Sequence, residues 1–198
     1  MLESIGRENM GKKPFTKKQI QKIRIKIKGN PLQELLLNLS VDLMLRSSDL
    51  LSLKISDVIN QNGSIKSEIK VKQKKTGKST LPIPLSELSL KTIAKHLINK
   101  PLNDYIFKSQ MYNYTKKPIT SQQYARIVKK WGEYAGIEDV SEYSTHSMRK
   151  TKASVIYMET KDVEACRRLL GQTSVIATSA YLGVSDNSAL KLAKSIMI

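Results

Sequence analysis

Three short, widely separated pieces of this chain carry groups that handle phosphate esters. They are Leu45-Arg46-Ser47-Ser48-Asp49-Leu50-Leu51, Thr145-His146-Ser147-Met148-Arg149, and Leu169-Leu170-Gly171-Gln172 followed by Tyr181. Breaking a phosphodiester without a metal requires a nucleophile, fixed positive charge at the non-bridging oxygens, and an acid for the departing oxygen. Arg46 and Arg149 suit the second task, because a guanidinium fork donates two hydrogen bonds and stays charged. Asp49 follows Arg46 by one helical turn and is expected to orient it. His146 and Arg149 share one face near a predicted helix N-terminus, whose free amides also favour phosphate. An imidazole there suits accepting a proton from a tyrosine hydroxyl. Lys75, in the basic run Lys74-Lys75-Thr76-Gly77-Lys78, is a candidate to reach a minor groove or to protonate a leaving 5′ oxygen.

Charge narrows the partner. Lys and Arg number 34 against 17 Asp and Glu, a net of +17 over 198 residues. Such a field gathers polyanions, so nucleic acid leads, ahead of a general basic or ribosomal-type protein. Two Phe and one Trp are too few for a platform that stacks single-stranded bases, which favours duplex DNA held by its backbone. The single cysteine, Cys166, excludes an internal disulfide and fits a reducing cytoplasm; its helical surroundings read as packing. No apolar run approaches the roughly 20 residues of a membrane span, and the N-terminus has no secretory pattern. Two His and one Cys form no zinc pattern.

The elements that must position these groups are mostly helical. Residues 1–15 read as a loose arm. Thr16 opens a basic helix that stops at Gly29-Asn30-Pro31, and Leu32 to Leu45 is apolar on all sides, as a buried central helix is. A short helix restarts after Arg46 and ends near Ser56-Asp57. Asn62-Gly63 is a turn signal, after which Ser64 to Gln73 and Ser79 to Pro84 read as strands of a small hairpin or three-stranded sheet. Further helices are expected over Leu85–Asn99, Ser121–Ala135 (opened by Thr120), His146–Met158 (capped by Thr145), Val163–Leu170 (capped by Asp162), Ser174–Leu182 and Ser188–Met197.

With these residues in view, the chain resembles the catalytic domain of the tyrosine recombinases, the phage-integrase family, over residues 16–198. The family's first motif, an arginine with an acidic residue three places on, stands as Arg46 and Asp49. Its hairpin lysine before Thr-Gly is Lys75. Its His-x-x-Arg is His146 to Arg149, with Thr151 and Ala153 following. Its Leu-Gly-His with a tyrosine nine places beyond is Leu170-Gly171-Gln172 and Tyr181. Glutamine at 172 departs from the usual histidine; an amide can donate to phosphate but carries no charge.

The resemblance implies a mainly α fold with a small antiparallel sheet. It implies a site-specific recombinase in which Tyr181 attacks the scissile phosphate to form a 3′-phosphotyrosyl link. Arg46, His146, Arg149 and Gln172 would hold the phosphate, and Lys75 would protonate the leaving oxygen. Bond energy is kept in the phosphotyrosine, so neither metal nor nucleotide cofactor is implied. The implied partner is double-stranded DNA, bound by a homo-tetramer in the cytoplasm at the nucleoid, with segment 188–198 either docking on a neighbouring protomer or packing on its own domain. The N-terminal core-binding domain usual in the family is expected to be absent. Two rivals stand beside this reading: an enzyme that only nicks and reseals, and a non-catalytic DNA-binding remnant of a mobile element.

Overall fold

The computed structural model describes residues 12–183 and residue 194. In chain order its elements are α1 (Lys17–Ile27), α2 (Pro31–Leu43), α3 (Ser47–Leu51), α4 (Ile55–Val58), β1 (Glu68–Ile69), β2 (Ile83–Pro84), α5 (Glu87–Leu97), α6 (Tyr112–Thr115), α7 (Ser121–Tyr134), a 3-10 turn (Val140–Glu142), α8 (Thr145–Thr160), α9 (Val163–Leu170) and α10 (Val175–Leu182). The class is the one expected, mainly α with a small antiparallel sheet.

Helix α2 is the axis. Asn30 caps it by accepting from the Gln33 amide at 3.1 Å, and Pro31 at the first helical position loses no hydrogen bond there. What read as a stop for one helix therefore also starts the next. Leu36, Leu37 and Leu39 are wholly buried, and α1, α5 and α8 pack around them. Asp42, buried on the same helix, accepts from Ser86 N (2.8 Å), Ser86 Oγ (2.7 Å) and Ser89 Oγ (2.6 Å), so α2 grips the first turn of α5.

Two expectations are corrected. The loose arm expected over residues 1–15 does not extend to residue 15. Phe15 is 1% exposed, stacks on Tyr143 at 4.7 Å and donates its amide to Thr151 Oγ1 at 3.1 Å. An aromatic ring inside an otherwise polar stretch was the missed signal. The hairpin is also shorter than predicted. Its ladder is only Glu68↔Pro84 and Ile69↔Ile83, with isolated bridges at Lys72↔Ser79 and Ile59↔Ile65. Pro82 and Pro84 have no amide hydrogen to give, and the Thr80 hydroxyl takes the Val71 amide at 3.0 Å in place of a carbonyl. Helix α8 is capped by Ser144, one residue before the expected Thr145. The expected helix over 188–197 and the docking segment 188–198 lie outside the described residues.

Far from the phosphate-handling motifs, α2 and α5 share a half-sealed ion cluster. Glu34 Oε2 meets His96 Nε2 at 2.6 Å and Lys95 Nζ at 3.2 Å, while its Oε1 accepts from the Gly29 amide at 2.6 Å. Burial works against the Glu34 carboxylate, but these hydrogen bonds win and hold its pKa at about 2. A depressed carboxyl pKa stabilises the fold above the ordinary value near 4.5, and that contribution is lost as pH falls toward 2. Glu34→Gln should therefore lower Tm at pH 7, at about 2–4 °C per kcal/mol for a chain of this size. It should also flatten the fall of Tm between pH 4.5 and 2, as followed by calorimetry.

Candidate active site

Arg149 is the buried centre. It lies in the second turn of α8 and is 4% exposed. Its Nη1 donates to Met44 O at 2.9 Å and its Nη2 to Leu170 O at 2.6 Å. Both carbonyls stand at helix C-termini, which have no intrahelical partners for their last carbonyls and carry partial negative charge. Met44 closes α2 in the left-handed region at φ 50°, a conformation that costs a non-glycine residue about 1–2 kcal/mol. Gly171, at φ 60°, closes α9 in the same way without that cost. The chain reversals at 44 and 171 thus deliver two of the three motifs to the third.

Arg46 sits half-buried at the cap position of α3, and its Nη1 donates to Gln73 Oε1 at 2.6 Å. Asp49 is fully buried and makes no hydrogen bond to Arg46 among the described residues. Its Oδ1 accepts instead from the Lys74 amide at 2.9 Å, while its Oδ2 has no partner. The expected orienting contact is therefore corrected: the carboxylate fixes the base of the hairpin turn, and the amide of Gln73 holds the arginine. Asp49 reaches the charge cluster through space, since its negative charge favours the ionised Arg149. Lys75 is exposed in the turn over 74–76 that those two contacts tether.

Tyr181, on α10, points its hydroxyl at His146 O across a long 3.4 Å. Burial pushes its phenol up to about 12, against the opposing pull of the Arg149 guanidinium and, more weakly, of Arg46. The His146 imidazole is held below its usual 6.5, first by partial burial and then by Arg149 and Arg46. Burial likewise lowers the Arg149 pKa, and neighbouring Arg46 adds to this, while Tyr181 and Asp49 oppose it. At neutral pH the site therefore holds two cationic guanidiniums, a neutral imidazole and a protonated phenol. Like charges kept this close, with one buried carboxylate nearby, describe a seat for an anion.

Gln172 is half-exposed just after the α9 cap. Its backbone is pinned by Arg167, which receives the Gln172 N–H at its carbonyl (3.0 Å) and donates Nη1 to Gln172 O (2.7 Å). The Thr178 hydroxyl lies 2.7 Å from Gln172 Oε1, which leaves the Nε2 donor free of any hydrogen bond among the described residues.

Three residues escaped the sequence reading: Gln73, Thr178 and Lys150. Gln73 continues the inward alternation of Ile69 and Val71, so a polar residue in a core register was the available signal. Lys150 is buried, with its ammonium 5.1 Å from the centre of the Tyr181 ring. Nothing in its immediate sequence marks it out.

Comparison with known proteins bears on the family and the fold. YoeC, a probable integrase/recombinase of Bacillus subtilis (strain 168), is 31% identical over 144 residues, which are 73% of each chain. A crystal structure of XerA recombinase superposes with a TM-score of 0.71 at 20% identity, covering 98% of this chain and 66% of that one. XerH, solved as a post-cleavage complex with its palindromic difH substrate, gives 0.71 at 20% identity, covering 98% of this chain and 56% of that one. At such identities these two likenesses speak for the fold, and the chain spans less than two thirds of either recombinase. The family model described as Phage integrase family matches residues 13–188, and with it the chain belongs to the phage integrase family.

Proposed function

We propose that this chain is the catalytic part of a tyrosine-type site-specific recombinase that cleaves and rejoins duplex DNA. The observation that carries the reading is the convergence of Arg46 at the cap of α3, His146 and Arg149 on α8, and Tyr181 on α10, three separate elements, in one cationic cluster.

The chemistry follows from the protonation states. Tyr181 Oη bonds to the scissile phosphorus and the bond to the 5′ oxygen breaks, leaving a 3′-phosphotyrosyl link and a 5′ hydroxyl. The reverse attack by a 5′ hydroxyl from a partner strand restores the backbone. With a phenol at about 12, Tyr181 has to lose its proton during attack, and the neutral His146 imidazole takes it. Arg46 and Arg149 stabilise the extra negative charge of the pentacoordinate phosphorus, which matters more in the transition state than before it. Gln172 adds a neutral donor, and Lys75 on the tethered turn protonates the leaving oxygen.

Double-stranded DNA is the proposed substrate and a homo-tetramer on DNA the proposed assembly, at the nucleoid. Support for the DNA partner comes from the +17 net charge and from XerH, a structural neighbour solved with its DNA substrate. Gln172 in place of histidine favours one rival, a DNA-binding remnant without catalysis, since an amide donor carries no charge to set against a developing oxyanion.

Trapping in detergent decides between them. Supercoiled plasmid carrying the DNA that flanks the gene should yield protein attached to a DNA 3′ end, and Tyr181→Phe should yield none. Salt-dependent binding with no adduct in either protein supports the remnant instead. The proton account is tested separately, at subsaturating DNA. The cleavage rate should be flat from pH 7 to 8 and should fall in acid, once pH drops through a His146 pKa below 6.5. His146→Gln should remove that acid limb; an unchanged profile would exclude His146 as the base.

A further inference from the structure

Gln73 is 2% exposed and belongs to none of the motifs that carry the chemistry, yet it touches three of them. Its Oε1 accepts from Arg46 Nη1 at 2.6 Å and from Thr76 Oγ1 at 3.2 Å, which uses both lone pairs. Its backbone closes the turn that carries Lys75: the Gln73 amide donates to Lys78 O at 2.9 Å, and the Gly77 amide donates to Gln73 O at 2.8 Å. Its Nε2 would lie 2.6 Å from a Cβ placed on Gly171, so it occupies the space that glycine leaves beside Gln172. The neighbouring Lys74 amide is held by buried Asp49, three residues from Arg46, so hairpin and arginine are joined at two consecutive residues.

From this contact set we infer that Gln73 is the positioning residue for Arg46, fixing the guanidinium in register with the Lys75 turn and the 171–172 corner. An arginine has several rotatable bonds, and a seat for phosphate works only if its fork is set beforehand. The amide is suited to this in a way a carboxylate is not. It accepts the hydrogen bond without cancelling the charge that Arg46 has to offer. Gly171 is required on the same grounds. Its φ of 60° already disfavours a side chain, and any Cβ would displace Gln73.

The inference deepens the strand-transfer reading and is tested so that the two fail separately. The comparison sets the wild-type chain against Gln73→Met, similar in length but without the acceptor, and Gln73→Glu, which keeps it. In the first arm, side-chain NMR follows the Arg46 guanidinium, assigned by its loss in Arg46→Lys. Its hydrogens should exchange slowly in wild type and in Gln73→Glu, and fast in Gln73→Met. In the second arm, single-turnover adduct formation is followed on nicked duplex from the gene's flanking DNA at saturating protein. Gln73→Met should slow it about 10²-fold while DNA Kd stays within about twofold, because positioning is lost and binding is not. In the Arg46→Lys background the same change should add less than about threefold, since residues acting as a unit do not add. Equal slowing in both backgrounds, or an Arg46 signal indifferent to Gln73→Met, overturns the inference. Should wild type form no adduct, strand transfer fails as a function and the NMR arm alone decides whether Gln73 positions Arg46.

Discussion

The Arg149 guanidinium, gripped by the final carbonyls of two helices, is the interaction on which the rest of this structure depends. Burying a cation costs several kcal/mol even after relaxation. Here the opposing terms are two charge-assisted hydrogen bonds, at about 1.5–3 kcal/mol each, and the negative ends of two helices, each worth up to about 2 kcal/mol. The balance closes only because α2 and α9 end where they do. Met44 accepts a left-handed backbone and Gly171 supplies one, so that Met44 O and Leu170 O both face the same side chain. One residue thereby fastens the central helix, the helix that bears His146, and the corner that leads to Tyr181.

That arrangement also explains the electrostatics. Arg149 spends two donors on the fold, one on each helix end. Arg46 stands near enough to disfavour the Arg149 cation, and Tyr181 and Asp49, the latter buried and hydrogen-bonded to the Lys74 amide, work against that. Repulsion of this kind is retained when something else will neutralise it. The phenol and imidazole follow suit. Burial keeps Tyr181 protonated and His146 uncharged at neutral pH.

Much of this was legible in the sequence, for identifiable reasons. Helix α9 was bounded correctly because Asp162 marks its start and Gly171 its end; α7 was found through Thr120. The motif residues stand out in the sequence because their types are chemically specific. What escaped depends on contacts between distant segments. Nothing in residues 46–49 reveals that the Asp49 carboxylate turns to a backbone amide 25 positions away, leaving its arginine to Gln73. The strands were overextended because alternation reports which face is buried, whereas the ladder also needs amide hydrogens that Pro82 and Pro84 lack. Phe15 was lost inside a polar run because one aromatic residue makes no periodic pattern, although it finds Tyr143 across the fold.

The claim that one buried guanidinium holds the helices together is tested most directly by calorimetric unfolding of Arg149→Lys beside Arg46→Lys, without DNA. A lysine has no fork to span two carbonyls. Arg149→Lys should therefore lose about 2 kcal/mol or more, lowering Tm by roughly 4–8 °C, while Arg46→Lys stays within about 2 °C of wild type. Equal Tm values for wild type and Arg149→Lys would contradict the account, because the grip on the two helix ends would then contribute nothing to the fold.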